Sequence, residues 1–409
     1  MVKDTRSRPK RILLLTFYLR PDLSAGAFRA SALVEALAEE SGGSVHIDVM
    51  TTIPNRYGSY SATAPAHEVN GPVTIHRFRV SGHRSGMADQ SISFAAYAWQ
   101  VHRKARRRHY DLVVATSSRL MTAVLGARLA ARRRAPLYLD IRDLFVDTMG
   151  DLLSANPLRH VLPLFRHLET RVFRSAARIN IVSEGFEAYI SARAPRVPIV
   201  FTPNGVDPEF INRSFTKERP NLRPLIVYAG NIGEGQGLHH ILPEAARRLA
   251  GRADFLVVGD GGARARLEQA LMERRITNVS LRPPVPREQV VDLYREADIL
   301  FLHLNHHRAF EKVLPSKVFE LAATGKPILA GLSGYARKFV ESNIRGALVF
   351  DPCDAGGFVS AFEALPRGLI ARDEFIGQYS RQAVSTRLAR DILAVLRQSH
   401  GENVPCGSL

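Results

Sequence analysis

The sequence predicts an α/β protein of two doubly wound domains, each built on a mainly parallel sheet, facing a central cleft. Three observations carry this. Short, continuously apolar runs alternate with amphipathic stretches along nearly the whole chain, the pattern of strands covered on both faces by crossover helices. The alternation stops between residues 203 and 224 and then restarts. The 409 residues, 45% hydrophobic and 23% charged, have ordinary globular composition, enough for two cores of about 100–200 residues each.

The first half places strands at 12–16, 45–50, 73–78, 112–116, 137–141, 179–182 and 199–202. A basic run followed by an apolar one opens the chain in the manner of a secretory leader. The apolar run ends at Arg20-Pro21-Asp22 without a small-residue cleavage site, so it reads as the first buried strand. A helix over 28–38 sets Ala30, Leu33, Val34 and Leu37 on one face, and a helix over 158–172 does the same with Val161, Leu162, Phe165 and Leu168. Pro203-Asn204-Gly205, Asp207-Pro208 and the polar run FTKERPNLRP mark the boundary. The second half places strands at 225–229, 255–258, 279–281, 299–302, 327–330 and 347–350, with helices at 237–249, 289–296 and 316–323. The resulting division is residues 1–205, 206–375 and 376–409. The last segment holds the end of a helix over 372–397, packed back on the first domain, and a tail.

Open parallel sheets bind ligands outside the carboxyl ends of their strands, so residues just after strands carry the functional signal. In YAGNIGEGQGL, residues 228–238, Gly230, Gly233, Gly235 and Gly237 lie between a strand and a helix. Such a turn lets backbone N–H groups approach a diphosphate near a helix N-terminus. VVGDGG adds Gly259 and Asp260 in a second turn. Neither matches a dinucleotide or Walker fingerprint. LPSKVFELAATGKPILA, residues 314–330, is the strongest segment. Pro315 and Ser316 read as a helix start, with Ser316 as N-cap. Lys317 in the first turn opposes the helix dipole unless an anion sits beside it, and Glu320 lies one turn on, where a carboxylate can accept bonds from the vicinal hydroxyls of a ribose. In the first half, Gly26 follows strand one, with Arg20 and Arg29 as candidate anion contacts. Asp140, Arg142, Asp143 and Asp147 cluster after the strand at 137–141, as acceptor contacts or as an Arg–Asp network.

Metal chemistry has no sequence support. No Asp-x-Asp occurs, and the run His303-Leu-Asn-His306-His307 lacks ligand spacing and reads as a solvated loop. Cys353 and Cys406 are too few and too far apart for a disulfide framework, which fits a reducing cytoplasm.

These segments resemble the retaining glycosyltransferases of family 4, which have the two-domain GT-B fold. LPSKVFELAATGKPILAGLSGYARKFV is similar to the donor-site helix and following strand of the O-antigen and capsule N-acetyl-L-fucosamine transferases. YAGNIGEGQGL, LYLDIRDLF, VSEGF and PNGVD are similar too. The resemblance covers nearly the whole chain. It implies a nucleotide-diphosphate sugar as co-substrate, a surface-polysaccharide role and an undecaprenyl-diphosphate-linked acceptor. It also implies front-face attack, in which a donor phosphate oxygen takes the acceptor proton.

The family pairs two glutamates separated by seven residues. Here Glu320 matches the second, and the first falls on Lys312, beside Glu311. The family's diphosphate-gripping Arg and Lys fall near Asn231 and Gln236, leaving Lys317, and with it Lys312, as substitutes. The expected donor residues are therefore Gly26, Gly230, Asn231, Gly233, Gln236, Gly259, Asp260, Lys312, Pro315, Ser316, Lys317 and Glu320. Lys317 and Asp143 are the catalytic candidates, and no metal is expected. A nucleotide-sugar epimerase or a catalytically silent lipid-binding scaffold would use the same framework: the first needs only the donor, the second binds no nucleotide.

The net charge of +17 is uneven. Residues 81–180 carry 17 Lys/Arg against 7 Asp/Glu, which suggests an anionic partner. No stretch reaches the roughly 20 apolar residues that span a bilayer. Ile92, Phe94, Tyr97 and Trp99, followed by the basic run 102–108 and extended by Arg132–Arg134, Arg159, Arg166, Arg171 and Arg174, instead suggest peripheral binding to anionic lipid at the inner face of the plasma membrane. No nucleic-acid partner is expected.

Overall fold

The computed structural model describes residues 8–22, 24–54, 63–80, 87–117, 119–152, 160–217 and 222–399. Arg159 and Cys406 lie outside them. The chain forms two compact units, Met1–Pro203 with Gln382–Leu409, and Asn204–Arg381.

The first unit runs β1 (Lys10–Leu15), α1 (Ala25–Glu40), β2 (Val45–Thr52), β3 (His67–Asn70), β4 (Val73–Phe78), α2 (Met87–Ala105), β5 (Leu112–Ser117), α3 (Leu120–Arg133), β6 (Leu137–Ile141), α4 (Phe145–Leu152), α5 (Leu162–Arg174), β7 (Arg178–Ile181), α6 (Glu187–Ser191) and β8 (Ile199–Phe201). Its sheet order is β3-β4-β2-β1-β5-β6-β7-β8. Every pairing is parallel except β3 with β4. The periodicity passes over β3, because HEVN is a short, exposed edge strand without an apolar run.

The second unit runs β9 (Leu225–Ala229), α7 (Leu238–Arg248), β10 (Asp254–Val258), α8 (Arg264–Glu273), β11 (Val279–Arg282), α9 (Arg287–Glu296), β12 (Ile299–His303), α10 (Lys317–Ala323), β13 (Ile328–Gly331), α11 (Gly334–Asn343), β14 (Ala347–Phe350), α12 (Ala355–Ala364) and α13 (Asp373–Tyr379). Its six strands are all parallel, in the order β11-β10-β9-β12-β13-β14. Two doubly wound, mainly parallel sheets are the α/β class expected from the sequence.

The helix expected over 372–397 is two helices, α13 and α14 (Arg381–Gln398). Ser380 between them is extended and bridges to Val206. The backbone groups freed by the break are satisfied there: Val206 N–H donates to Tyr379 O and Arg381 N–H to Val206 O, both at 2.7 Å. α13 therefore lies with the second unit, where Phe375 and Tyr379 pack on Phe319 and Phe339. Only the chain from Gln382 joins the first unit, which moves the boundary expected at 376. There α14 buries Leu388, Ile392 and Leu396 against Ile12, Leu14, Leu33 and Leu37.

Candidate active site

The carboxyl ends of β9 and β10 meet in two interlocked turns. Gly230 N–H donates to Val258 O (2.9 Å), Ile232 N–H to Asp260 O (2.8 Å) and Ala263 N–H to Ile232 O (2.9 Å). Gly259 has φ +154°, and a Cβ there would overlap the Gly230 carbonyl. Only glycine lets the two turns come this close. Asp260 is exposed, and its carboxylate accepts its neighbour Gly261's N–H at 2.8 Å. Asn231 and Gln236 close on each other: Asn231 Nδ2 donates to Gln236 Oε1 (2.7 Å), which also accepts Gly233 N–H (3.3 Å). The turn is thus laced by neutral amides.

Lys317 points into this region, its Cε 3.4 Å from where a Gly230 Cβ would stand. Its ammonium donates to Tyr294 Oη (3.3 Å) and pairs with Glu320 Oε2 (3.5 Å). The Lys317 side chain keeps 27% exposure and Glu320 14%, so neither is an ordinary solvated helix charge. Burial works against the charge on Lys317, but Tyr294 and Glu320 outweigh it and push its pKa above the usual lysine value. Two sequence expectations change here. Ser316 stands at the N-cap position, but its backbone is already helical and its side chain makes no cap bond. Val318 N–H bonds Pro315 O and Phe319 N–H bonds Ser316 O, so the turn begins winding at Pro315. Nor does Lys317 lack an anion in the free protein, since Glu320 supplies one from the same helix.

Arg287, absent from the sequence-level candidates, donates to Glu320 Oε1 at 3.2 Å and also pairs with Asp207, which Arg381 Nε binds at 2.7 Å. Tyr228 was missed too. It is buried, and its hydroxyl donates to Asn231 O at 2.6 Å. Tyr294 was likewise missed, because a tyrosine on the apolar face of a helix reads as core. Lys312 closes a 3-10 turn, Arg308–Lys312. Lys326 is buried and donates to the Arg295 and Ala297 carbonyls (2.9 and 2.6 Å), satisfying the end of α9.

His303 is fully buried rather than part of a solvated loop. Its Nε2 accepts Cys353 N–H (2.9 Å), which leaves the proton on Nδ1, the donor to Gln236 O (2.6 Å). The ring holds the 233–237 turn to the sheet. Burial pulls its pKa to about 4, against a partly opposing Gln236 carbonyl. The unfolded chain therefore binds a proton that the folded one refuses. Stability should fall as pH drops from about 6.5 to about 4, by about 3 kcal/mol in full. Denaturant unfolding of the second unit across this range checks it: His303→Gln should remove about one proton's worth of slope, and an unchanged slope would count against the assignment. His76 in the first unit is also held down to about 4, by burial first, and contributes in the same direction.

In the first unit, Gly26 lies in the first turn of α1, where Ser24 caps Ala27 N–H at 3.1 Å. The Arg142 guanidinium approaches to 2.6 Å from where a Gly26 Cβ would stand. Asp143 is exposed beside it and Asp147 half-buried. Arg20 is exposed, with its guanidinium over the Phe28 ring. Arg29, expected as an anion contact, is instead 2% exposed. It binds Asp140 through two nitrogens (3.0 and 2.9 Å) and the carbonyls of Thr202 and Pro203 (2.9 and 2.6 Å). Asp140 is thereby structural: completely buried, also bonded by Asn180 at 2.6 Å, and unavailable to an acceptor.

The chain matches the glycosyl transferase 4-like domain over residues 25–205 and the glycosyl transferases group 1 model over residues 223–367. The chain is a group 1 glycosyltransferase with the GT-B fold. It is 34% identical over 106 residues to the Escherichia coli (strain K12) colanic acid biosynthesis glycosyl transferase WcaI, a match spanning 26% of each protein. Among solved structures, sucrose-phosphate synthase from Thermosynechococcus elongatus superposes with a TM-score of 0.68 at 14% identity, over 96% of this chain and 98% of that one. Anabaena HepE, solved with UDP-glucose, superposes at 0.57 with 14% identity, over 96% and 98%.

In this glycosyltransferase the turn after β9 thus carries the neutral Asn231–Gln236 pair, and Lys317 is the cation seated against Gly230. In its first unit, α3 packs beside both α2 and α5. Phe94 and Tyr97 turn inward, 8% and 0% exposed, to stack around Phe17. Ile92 and Trp99 turn outward, 62% and 63% exposed, with Arg103 over the indole. Arg108 is committed to buried Asp48 at 2.6 Å, and Arg133 to the Ala105 and Arg108 carbonyls. Arg103, Lys104, Arg106 and Arg107 stay exposed. Among the described residues, no helix is long and apolar enough to cross a membrane.

Proposed function

We propose that the protein transfers a sugar, with retention, from a nucleotide-diphosphate sugar to a lipid-linked glycan in surface-polysaccharide synthesis. The observation that carries this is Lys317 held against Gly230 with Glu320 in its own turn. The glycine turns and Lys317 take the diphosphate, and Glu320 exchanges its cation contacts for the ribose hydroxyls. Lys312, Pro315 and Ser316 complete the donor site. As the anomeric carbon's bond to phosphate breaks, the acceptor oxygen bonds it on the same face. The acceptor proton passes to the leaving phosphate oxygen, and Lys317 stabilises the charge developing on the diphosphate. Asp143, exposed after β6, orients the acceptor. The WcaI likeness supports a role in polysaccharide synthesis, and the resemblance to N-acetyl-L-fucosamine transferases supports an N-acetylated hexosamine or deoxyhexosamine donor and an undecaprenyl-diphosphate-linked acceptor. The UDP-glucose complex of HepE supports the donor class.

The test is a panel of nucleotides and nucleotide sugars read by thermal shift, then turnover with and without acceptor. A ligand at about 100 times its Kd should add about 2.7 kcal/mol of stability. No shift with any nucleotide would favour the silent scaffold. Donor turnover without acceptor would favour the epimerase. Turnover should also persist in excess EDTA, because the sequence holds no Asp-x-Asp pair to share a metal with the diphosphate. Activity abolished by EDTA and restored by Mg²⁺ would overturn the metal-free mechanism.

The same reading places the enzyme at the inner face of the plasma membrane through α2. Clustered Lys/Arg beside anionic lipid contribute about 1 kcal/mol each. Liposome flotation should show binding to anionic vesicles that weakens with salt and with the pair Arg106→Ser, Arg107→Ser. Arg108 is left intact in that variant because it holds Asp48. Equal binding to neutral vesicles would contradict this.

A further inference from the structure

One group of metal-capable side chains among the described residues belongs to none of the donor roles above. Glu234, in the turn after β9, faces His239 and His240 in the first turn of α7. One carboxylate oxygen and one nitrogen from each ring lie within 4.8 Å of one another. Glu234 Oε2 is 3.9 Å from His239 Nε2, and Oε1 is 3.9 Å from His240 Nε2. The imidazoles overlap, with centroids 3.9 Å apart and planes tilted by 41°. Adjacent residues on a helix normally diverge by about 100°, so both rings have turned toward the same carboxylate.

The second observation is His239 itself. Its side chain is 7% exposed, and neither ring nitrogen has a hydrogen-bond partner. Buried polar groups are nearly always satisfied, and a buried imidazole without a partner at either nitrogen calls for an explanation. A neutral imidazole offers one lone pair, and two such rings with a carboxylate make a three-ligand set that leaves a fourth position open.

We infer that Glu234, His239 and His240 bind a borderline divalent cation of the Zn²⁺ or Co²⁺ kind. Two nitrogens select such an ion over Mg²⁺, which takes oxygen ligands. Ligand bonds of about 2.0–2.2 Å require the three side chains to close together, and His240, 49% exposed, is free to move. The site has a built-in competitor. Arg266 binds Glu234 Oε2 at 2.5 Å and must release that oxygen. Asn305 Nδ2 holds the Glu234 carbonyl at 2.9 Å, so the backbone stays in place while the carboxylate swings. A bound ion ties the 233–237 turn to α7. It acts on the rigidity of the turn rather than on the reaction, so this inference is compatible with turnover in EDTA.

The test uses the full chain, stripped with chelator and titrated with Zn²⁺ by calorimetry and with Co²⁺ by visible absorption. One ion should bind per chain. His240→Ala should weaken Zn²⁺ binding at least tenfold without disturbing the fold, since that residue is half-exposed, and His239→Ala should do the same. Arg266→Met should tighten binding by freeing the carboxylate. Equal affinity in wild type and both histidine variants, no saturable binding, or a preference for Mg²⁺ would each overturn the inference. Nucleotide thermal shifts on the stripped protein report the donor site separately, so failure of one reading is distinguishable from failure of the other.

Discussion

Lys317→Ala should lower kcat by about 10²–10³, the loss seen when one donor is removed from a charge that develops in a transition state. The free protein should stay folded. Glu320, the carboxylate that Lys317 leaves behind, keeps Arg287 at 3.2 Å, and Tyr294 is buried by packing independent of the ammonium. Lys317→Met, which retains the aliphatic stem over Gly230, should be as slow as the alanine variant. That separates lost charge from lost packing. The affinity for a nucleoside diphosphate should fall more than that for the nucleoside monophosphate, because the assigned contact is to the diphosphate. Steady-state kinetics at saturating donor and calorimetry with the two nucleotides decide it. Near-wild-type kcat in either variant would remove Lys317 from the reaction.

The largest expected loss of stability lies in the first unit, at Arg29. Arg29→Met removes four hydrogen bonds at once and leaves the Asp140 carboxylate, 0% exposed, with Asn180 as its remaining described side-chain donor. Breaking a buried pair by removing one partner costs about 3–5 kcal/mol. Denaturant unfolding should show this as a lower midpoint. Replacing both partners, Arg29→Met with Asp140→Leu, should recover a large part of it, since the unpaired charge is then gone. The wild-type pair also carries a pH signature. Burial alone would raise the Asp140 carboxyl, but the charge and hydrogen bonds of Arg29 outweigh it and hold the carboxyl below the usual aspartate value. The stabilisation is present above that usual value and is lost as pH falls through the depressed one. A single variant within 1 kcal/mol of wild type would show that the first unit tolerates the bare carboxylate.

The sequence by itself determined every strand but β3, the parallel pairing class of the rest and the post-strand turns. Those depend on local patterns: continuous apolar runs for β1, β5, β9 and β12, and glycines at 230, 233 and 259 where strands end. That Lys317 opens a helix and Glu320 lies one turn on was legible for the same reason, since helical spacing is local, although the ion pair between them was not read there. The tertiary structure decided whatever depends on a partner far along the chain. Arg29 reads as an anion contact in sequence, and Arg142 as an acceptor contact or part of an Arg–Asp network. Only the fold shows that Arg29 is used up by Asp140, 111 residues away, while Arg142 lies over Gly26. Glu320 is held by Arg287, 33 residues back, and no local pattern marks that arginine. Tyr97 and Trp99 are both aromatic and two residues apart on one helix. Burial against Phe17 takes the first into the core and leaves the second outside. The helix break at Ser380 is likewise invisible in a continuous helical pattern, because what stabilises it is hydrogen bonding to Val206, supplied from across the chain. Periodicity encodes which face a residue takes, whereas charge pairing and backbone rescue are settled only when distant segments come within about 3 Å of each other.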